Sequence, residues 1–492
     1  MSERSTGKTR GQLDPADWGR FRKEAHHMLD AAIDHLETAG QGRVWTPWPR
    51  DLAEAFAAAL DGDGQAPGEL VEHLESLLPH GVGNTHPRFF GWVHGAGSPA
   101  GLIAEIAGAA MNANCGGRNH AAIEVERRVV DWTRRLMGFP EGASGLVVSG
   151  TSMATLIALK VARDARLDFE SRAQGAGHAG LVGYASSQAH SCVARAFDLL
   201  GLGSTALREV PVDADFRMDT HALEAAIAAD REAGRAPFTV IATAGSVNTG
   251  ASDALDTIAD IAARLGLWMH VDGAFGACAM LSPQLRGKLH GIQRADSLAF
   301  DFHKWMQVNY DAGCVLIRDE TLHMQAFSDR PDYLSREESG LAAGAPWPVD
   351  YGPELSRGFR ALKVWAQIAE YGQTRLGAVI DSNRALALRL AAAVDATGDL
   401  ERLAPVPLNI CCLRHVPRGW TEPELDRLNE TIVRELQLSG IAAPSTTRIH
   451  GRLAIRVNIT NHRTSEDDID RLVEEILRLG RSDRLRATAR ER

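Results

Sequence analysis

Short apolar runs alternate with amphipathic segments through the middle of the chain. Runs at 145–148, 181–185, 238–242, 268–271, 297–302 and 313–318 predict strands, and apolar residues at helical spacing predict helices at 152–169, 190–200 and 254–265. Strands apolar at nearly every position and interleaved with helices predict a mostly parallel sheet covered on both faces. Before this region, 14–38 carries helical spacing, with Asp14 ahead of Pro15 as the N-cap and first-turn pair. Gly and Pro cluster at 62–68, read as a linker, and at 81–99, read as a structured loop. After Gly372 the pattern changes to a helix, a strand near 409–414, a helix from Glu422, a strand near 453–459 and a last helix from Ser465, a small α+β domain. The expected division is an N-terminal helical segment 1–105, a large α/β domain 106–372, a small domain 373–480 and a charged tail 481–492. The first and last dozen residues read as solvated ends.

Composition narrows the class. Hydrophobic residues make up 45% and charged residues 24% of 492, the balance of a soluble globular chain. No apolar run approaches the ~20 residues of a membrane helix, and residues 1–20 hold no apolar core of a secretory signal. A net charge of −10 supplies no reason to bind nucleic acid or a membrane surface. Six cysteines without a CxxC pair read as thiols in a reducing cytoplasm, forming neither a disulfide framework nor a zinc site, and no metal centre is expected.

Several motifs fall away. Gly201-Leu-Gly-Ser-Thr-Ala206 follows a helix where a dinucleotide fold needs a strand, and neither GxxxxGK[ST] nor HExxH occurs. Three strand ends hold the chemistry, where ligands of open α/β sheets bind. Val147-Val-Ser-Gly-Thr-Ser152 runs into a helix whose start can cradle a phosphate, although Thr151 and Ser152 read equally as ordinary caps. Trp268-Met-His-Val-Asp-Gly-Ala274 carries an acid followed by small residues that leave room for a flat ligand; alone, Asp272 reads as a structural cap or an ion-pair partner. Ser297-Leu-Ala-Phe-Asp-Phe-His-Lys-Trp305 delivers a lysine between two aromatic residues. Desolvation there is expected to lower the lysine pKa and free a nucleophilic amine; the alternative is a buried lysine paired to an acid. Together the three describe a pyridoxal-phosphate site. Lys304 forms the internal aldimine, Asp272 keeps the pyridine nitrogen protonated, and Thr151 and Ser152 hold the phosphate.

These residues resemble the group II pyridoxal-phosphate-dependent amino acid decarboxylases, the aromatic amino acid and glutamate decarboxylase family. The resemblance runs from about Asp14 to about Leu479. It is carried by His86-Pro-Arg-Phe-Phe90, Gln188-Ala-His-Ser191, His270-Val-Asp272, His303-Lys-Trp305 and Arg357-Gly-Phe-Arg-Ala-Leu-Lys-Val-Trp365. It implies a type I, aspartate-aminotransferase-like large domain on a mostly parallel seven-stranded sheet, and a cytoplasmic homodimer with shared active sites and the N-terminal helices wrapped on the partner. The implied reaction turns an L-amino acid into its amine and CO2, within amino acid and carboxylic acid metabolism. By the same resemblance His190 stacks on the cofactor ring, Ala274 packs its other face, and Ser297 and His303 lie near the phosphate. Tyr333, in Pro331-Asp-Tyr-Leu334, is the implied proton donor to the α-carbon, with His190 as the alternative. Relatives that make aldehydes with oxygen typically carry phenylalanine at that position, so Tyr333 favours simple decarboxylation over decarboxylation-coupled oxidative deamination.

The chain departs from the pattern at Asp301, where many relatives carry asparagine, and at Val247, where some carry a hydroxyl. Asp301 beside a phosphate is electrostatically awkward unless it points away or pairs with a donor. Gly91-Trp-Val-His-Gly95 and Met111-Asn-Ala-Asn-Cys-Gly-Gly-Arg-Asn-His120 replace apolar runs of the aromatic decarboxylases. Trp92, His94, Asn112 and Asn114 are therefore the substrate-binding candidates, in a pocket more polar than one for dopa or tryptophan. The competing reading makes Asn112 and Asn114 caps of local turns. Arg118 and Arg456 have no assigned role.

Overall fold

A computed structural model describes residues 13–60, 64–177, 180–328 and 337–490. The strands, numbered in chain order, are β1 (Phe89–Phe90), β2 (Ser144–Val148), β3 (Leu181–Ser186), β4 (Leu207–Val210), β5 (Ala236–Thr243), β6 (Trp268–Asp272), β7 (Ser297–Asp301), β8 (Gly313–Ile317), β9 (Leu400–Arg402), β10 (Ile410–His415), β11 (Ala443–Ile449) and β12 (Arg452–Asn458). Seven form one sheet in the order β2-β8-β7-β6-β5-β3-β4. β8 runs antiparallel to both its neighbours, and the remaining pairs are parallel. Every residue of β3, β7 and β8 is buried, as strands covered on both faces must be. The helix Thr151–Arg166 lies against β7 and β8. The chain has the α/β, type I architecture with a mostly parallel seven-stranded sheet.

The second sheet has the order β1-β11-β12-β10-β9 and its own apolar core, which includes Phe90, Leu413, Leu428, Ile455 and Ile476. Its first strand comes from far away in sequence: Phe89 pairs with Ala443, in parallel. The helix Arg360–Asp395 joins the two sheets, broken at Gly372 by φ 65° and ψ 164°. Its first part packs on the helix Pro99–Met111 and its second on Glu466–Gly480.

An ion pair closes the edge of the large sheet. β2 is an edge strand, so the outward N–H and C=O of Val147 have no strand partner. The Val147 N–H donates to Glu126 Oε1 at 3.0 Å, and its carbonyl accepts from Arg357 Nη2. Arg357 reaches both Glu126 oxygens, at 2.7 and 3.1 Å, and the Cys115 carbonyl at 2.9 Å, with only 1% of its side chain exposed.

Several expectations need correction. The first helix is Trp18–Glu37, and Asp17, not Asp14, accepts from the Gly19 and Arg20 amides. The boundary at 105 falls inside the helix Pro99–Met111. The helix Pro67–Leu77 begins within the stretch read as a linker. The C-terminal tail is not merely solvated: Asp483–Arg490 is a helix that buries Leu485 and Ala489, four residues apart, against Glu422–Ser439.

Candidate active site

The carboxyl ends of β5, β6 and β7 converge on one point. Asp272, the last residue of β6, is in register with Thr243 of β5 and Ala299 of β7. It is buried, and its Oδ1 accepts from the Ala274 amide at 3.1 Å. Burial raises its pKa, against the opposing charges of Lys304 and His190. β7 ends on Asp301, and the chain turns through Phe302 and His303 to Lys304. Phe302 and Trp305 are buried on either side, and Trp305 Nε1 donates to Asn383 Oδ1 at 3.0 Å, so the turn is held firmly. Lys304 Nζ lies 2.8 Å from Asp301 Oδ2. Burial works to lower the lysine pKa, but the charges of Asp301 and Asp272 outweigh it, and the net shift is upward. The expectation of an amine freed by desolvation gives way to the alternative, a lysine paired to an acid, and Asp301 takes the second course open to it by pairing with donors.

The helix Thr151–Arg166 starts beside this turn with Gly150 as its cap and no capping side chain. The Thr151 amide donates to Asp301 Oδ1 at 2.6 Å, while the buried Thr151 Oγ1 has no partner. Ser152 is exposed next to it. The cradle is tight: a Cβ on Gly313 would stand 2.6 Å from Gly150 Cα and 2.7 Å from Asp301 Oδ1, so position 313 must be glycine. His303 Nδ1 lies 3.1 Å from the Ala312 amide nitrogen, its Nε2 3.7 Å from Asp301 Oδ2, and its ring packs on Tyr310 with centroids 4.3 Å apart. His190 is exposed, its Nδ1 accepting from the Cys192 amide at 3.2 Å, and Ala274 is half-buried.

Other candidates stand elsewhere. Ser297 sits at the opposite, amino end of β7, about 13 Å along the strand from Asp301 at ~3.3 Å per residue. Its buried hydroxyl accepts from Trp268 Nε1 at 2.8 Å and lies 2.9 Å from His270 Nδ1, so its assignment beside the phosphate is corrected. Asn112 ends the helix Pro99–Met111 in a left-handed conformation (φ 45°, ψ 42°). Asn114 Oδ1 accepts from the Gly116 and Arg357 amides, each at 3.0 Å. Both asparagines thus make the local turn contacts of the competing reading. A cavity of about 570 Å³ beside Asn114 is lined by Met111, Arg118, Leu341 and Leu355, and not by Lys304. Tyr333 lies outside the described residues. Among the described residues, no group of three or more His, Cys, Asp and Glu is arranged to hold a metal ion.

His94 does reach the site. After burial, the charges of Lys304 and His303 lower its pKa, and its ring meets Phe89, Trp92 and Tyr310 with centroids 5.6, 6.1 and 5.7 Å away. Trp92 is half-exposed at φ 46°. Its carbonyl accepts from Arg456 Nη1, while Arg456 Nε donates to the Val247 carbonyl, each at 2.7 Å. This clamp between the two loops was not legible in sequence, where Arg456 is one arginine in an apolar strand. Nor was Tyr310, which bridges His303 and His94.

An uncapped helix start with an unpartnered buried hydroxyl could hold a phosphate. A lysine amine could hold an aldehyde, and a buried acid could hold a protonated ring nitrogen. That set fits pyridoxal phosphate.

Residues 49–415 match the family model of the pyridoxal-dependent decarboxylase conserved domain. The chain is 32% identical to the aromatic-L-amino-acid decarboxylase of Bacillus atrophaeus over 91% of this chain and 93% of that protein. It is 29% identical to the histidine decarboxylase of Rattus norvegicus, over 93% and 70% respectively. A crystal structure of Oryza sativa TDC with PLP and tryptamine superposes with a TM-score of 0.87 at 26% identity, covering 95% of this chain and 99% of that one.

Proposed function

We propose, since the chain belongs to the pyridoxal-dependent decarboxylase family, how its residues divide the work of that reaction. The reaction removes CO2 from an L-amino acid and leaves the amine, with pyridoxal phosphate as cofactor. The cofactor supplies an electron-accepting ring. Lys304 Nζ holds its aldehyde carbon. Asp272 keeps a proton on its ring nitrogen, and burial at the end of β6 suits that role because a charged partner offsets its own desolvation. Thr151, Ser152 and the helix start hold the phosphate, with His303 beside them through Asp301. His190 and Ala274 would pack against the ring and hold it in place. His190 or Tyr333 returns the proton to Cα. What remains for the protein is orientation, which decides which of the three Cα bonds breaks.

The substrate in this reading carries an aromatic or heteroaromatic side chain. The observation that supports it is the aromatic wall beside Lys304, running from His303 through Tyr310 and His94 to Phe89 and Trp92. The named relatives act in keeping with it. The holoenzyme should be incubated with a panel of L-amino acids, with and without oxygen, and the products identified by mass spectrometry. Amine formed from aromatic members equally in both atmospheres is the expected result. Amine only from acidic or aliphatic members would overturn the substrate class, and an oxygen-dependent aldehyde would replace decarboxylation with oxidative deamination.

Two substitutions test the division of work. Asp272→Asn keeps the shape but holds no proton by charge, and kcat should fall by about 10²- to 10⁴-fold with cofactor still bound. A loss under threefold would remove Asp272 from the mechanism. Asp301→Asn should speed cofactor uptake by the apoenzyme near neutral pH. The Asp301 charge holds the Lys304 pKa up, so its removal enlarges the neutral amine fraction about tenfold for each pKa unit recovered. Stopped-flow absorbance reads that rate, and an unchanged rate would mean that Asp301 does not govern the lysine.

The protein in this reading is a homodimer with shared sites, located in the cytoplasm. The first helix, Trp18–Glu37, buries none of its residues and exposes Trp18, Phe21 and Ile33, while Pro99–Met111 exposes Ile103, Ile106 and Met111. Apolar faces of that kind support a partner subunit. Light scattering should give twice the 53.1 kDa chain mass; a single chain mass would sink the shared-site idea. All six cysteines are free and buried, in keeping with a reducing compartment. No described helix is long and apolar enough to cross a membrane.

A further inference from the structure

A second cavity, away from the lysine, is rich in positive charge without a matching acid. It encloses about 410 Å³ between the start of the helix Pro99–Met111, the Gly372 break in Arg360–Asp395, and the segment following β12. Tyr371, Arg375, His462 and Arg463 line it, and none of the cofactor-site residues does. Arg463 Nη1 is buried and bonded to nothing. Burial lowers the Arg463 pKa, and the one group that acts to raise it is the Tyr371 phenol. His462 feels Arg463 and Arg375 and no acid. Arg375 stacks 4.9 Å above the Tyr371 ring and extends to the surface. The exposed Glu370 acts on Tyr371.

Other arginines removed from water have acceptors at close range, Arg456 on the Trp92 and Val247 carbonyls and two others on acids. Arg357 holds Glu126, and Arg414 holds Glu401 and Glu422. A guanidinium nitrogen removed from water without an acceptor is costly, so a cavity built around one calls for an anion. We propose that this cavity is a binding site for a phosphate group, free or on a small phosphate ester, with Arg463 and Arg375 as its charged ligands and His462 at the rim. Planar guanidinium forks suit phosphate oxygens. The volume leaves room for a small organic substituent. A bound anion would tie the interdomain helix to the small domain across the Gly372 break, and so stabilise the fold by mass action.

The test uses the cofactor-saturated enzyme in phosphate-free buffer, titrated with inorganic phosphate or glycerol 3-phosphate against chloride at equal ionic strength. Tm should rise with the logarithm of phosphate concentration, and calorimetry should give one site per chain. Arg375→Ala and Arg463→Gln should each weaken binding about tenfold or more, without changing the absorbance of the bound cofactor. Arg375 is exposed, so its variant keeps the test alive should Arg463→Gln fold poorly. Equal responses to the two compounds identify the phosphate group itself as the ligand; a response to the ester alone assigns a small phosphate ester. No rise in Tm beyond chloride, or the same rise in both variants, would overturn the site.

Discussion

Replacing Lys304 with alanine is expected to lower amine formation on the order of 10³-fold or more, the scale on which covalent groups fail when removed. The fold should survive. Lys304 lies on a turn anchored by Phe302 and Trp305, and it is not itself part of the core. Borohydride reduction of the wild-type holoenzyme followed by peptide mapping should place the cofactor mass on the peptide containing Lys304. The chain has other buried or half-buried lysines that could compete. Lys160 is taken by Asp164 at 2.6 Å, on the helix Thr151–Arg166, and Lys363 by Glu105 at 2.5 Å. Neither faces a second acid at a strand end, as Lys304 faces Asp272. A label on Lys160 or Lys363, or full activity in the alanine variant, would remove the present assignment.

The second large effect concerns stability. Arg357→Ala leaves the Glu126 carboxylate buried without its cation and strips the Val147 carbonyl, at the edge of β2, of its donor. Breaking a buried pair in this way costs about 3–5 kcal/mol. With an unfolding entropy of about 2.1 cal/mol/K per residue, a chain of this length should lose about 3–5 °C in Tm. The double variant Glu126→Gln/Arg357→Met should recover much of that loss, since neither charge is then stranded. If the single variant melts within one degree of wild type, the pair does not secure the sheet edge.

The strand ends were the legible part of this protein. Asp272 and Lys304 each follow an apolar run, at the strand ends where ligands of open α/β sheets bind. The cofactor itself came into view through three such ends together, and the family resemblance supplied the stacking and donor roles. Ser297 shows where the reasoning stopped. A hydroxyl in an apolar strand looks reserved for a ligand, yet cross-strand neighbours Trp268 and His270 absorb it, and spacing along one strand does not reveal them. The same blindness applies to Lys304, whose aromatic flanks suggested a low pKa while the acid three residues earlier decided the sign. β11 was invisible for another reason: Ala443-Pro-Ser-Thr-Thr-Arg-Ile449 is mostly polar and is a strand because β12 and β1 flank it. Leu485 and Ala489 were hidden among arginines. Asn112 and Asn114 were read two ways, and the turn contacts of the second reading are present.

The pairing of Phe89 with Ala443 has a consequence for the birth of the molecule. About 350 residues separate the two, and ribosomes add roughly 5–20 residues per second, so β1 waits on the order of 20–70 s for its partner. All seven strands of the large sheet and Lys304 are made within that interval. The Gly95 amide, just past β1, bonds to the His303 carbonyl next to the lysine. A nascent chain thus carries its reactive lysine well before the segment walling it has a sheet to join. A chain truncated ahead of residue 443 would contain every strand of the large sheet and Lys304, but not β11, the strand on which β1 pairs.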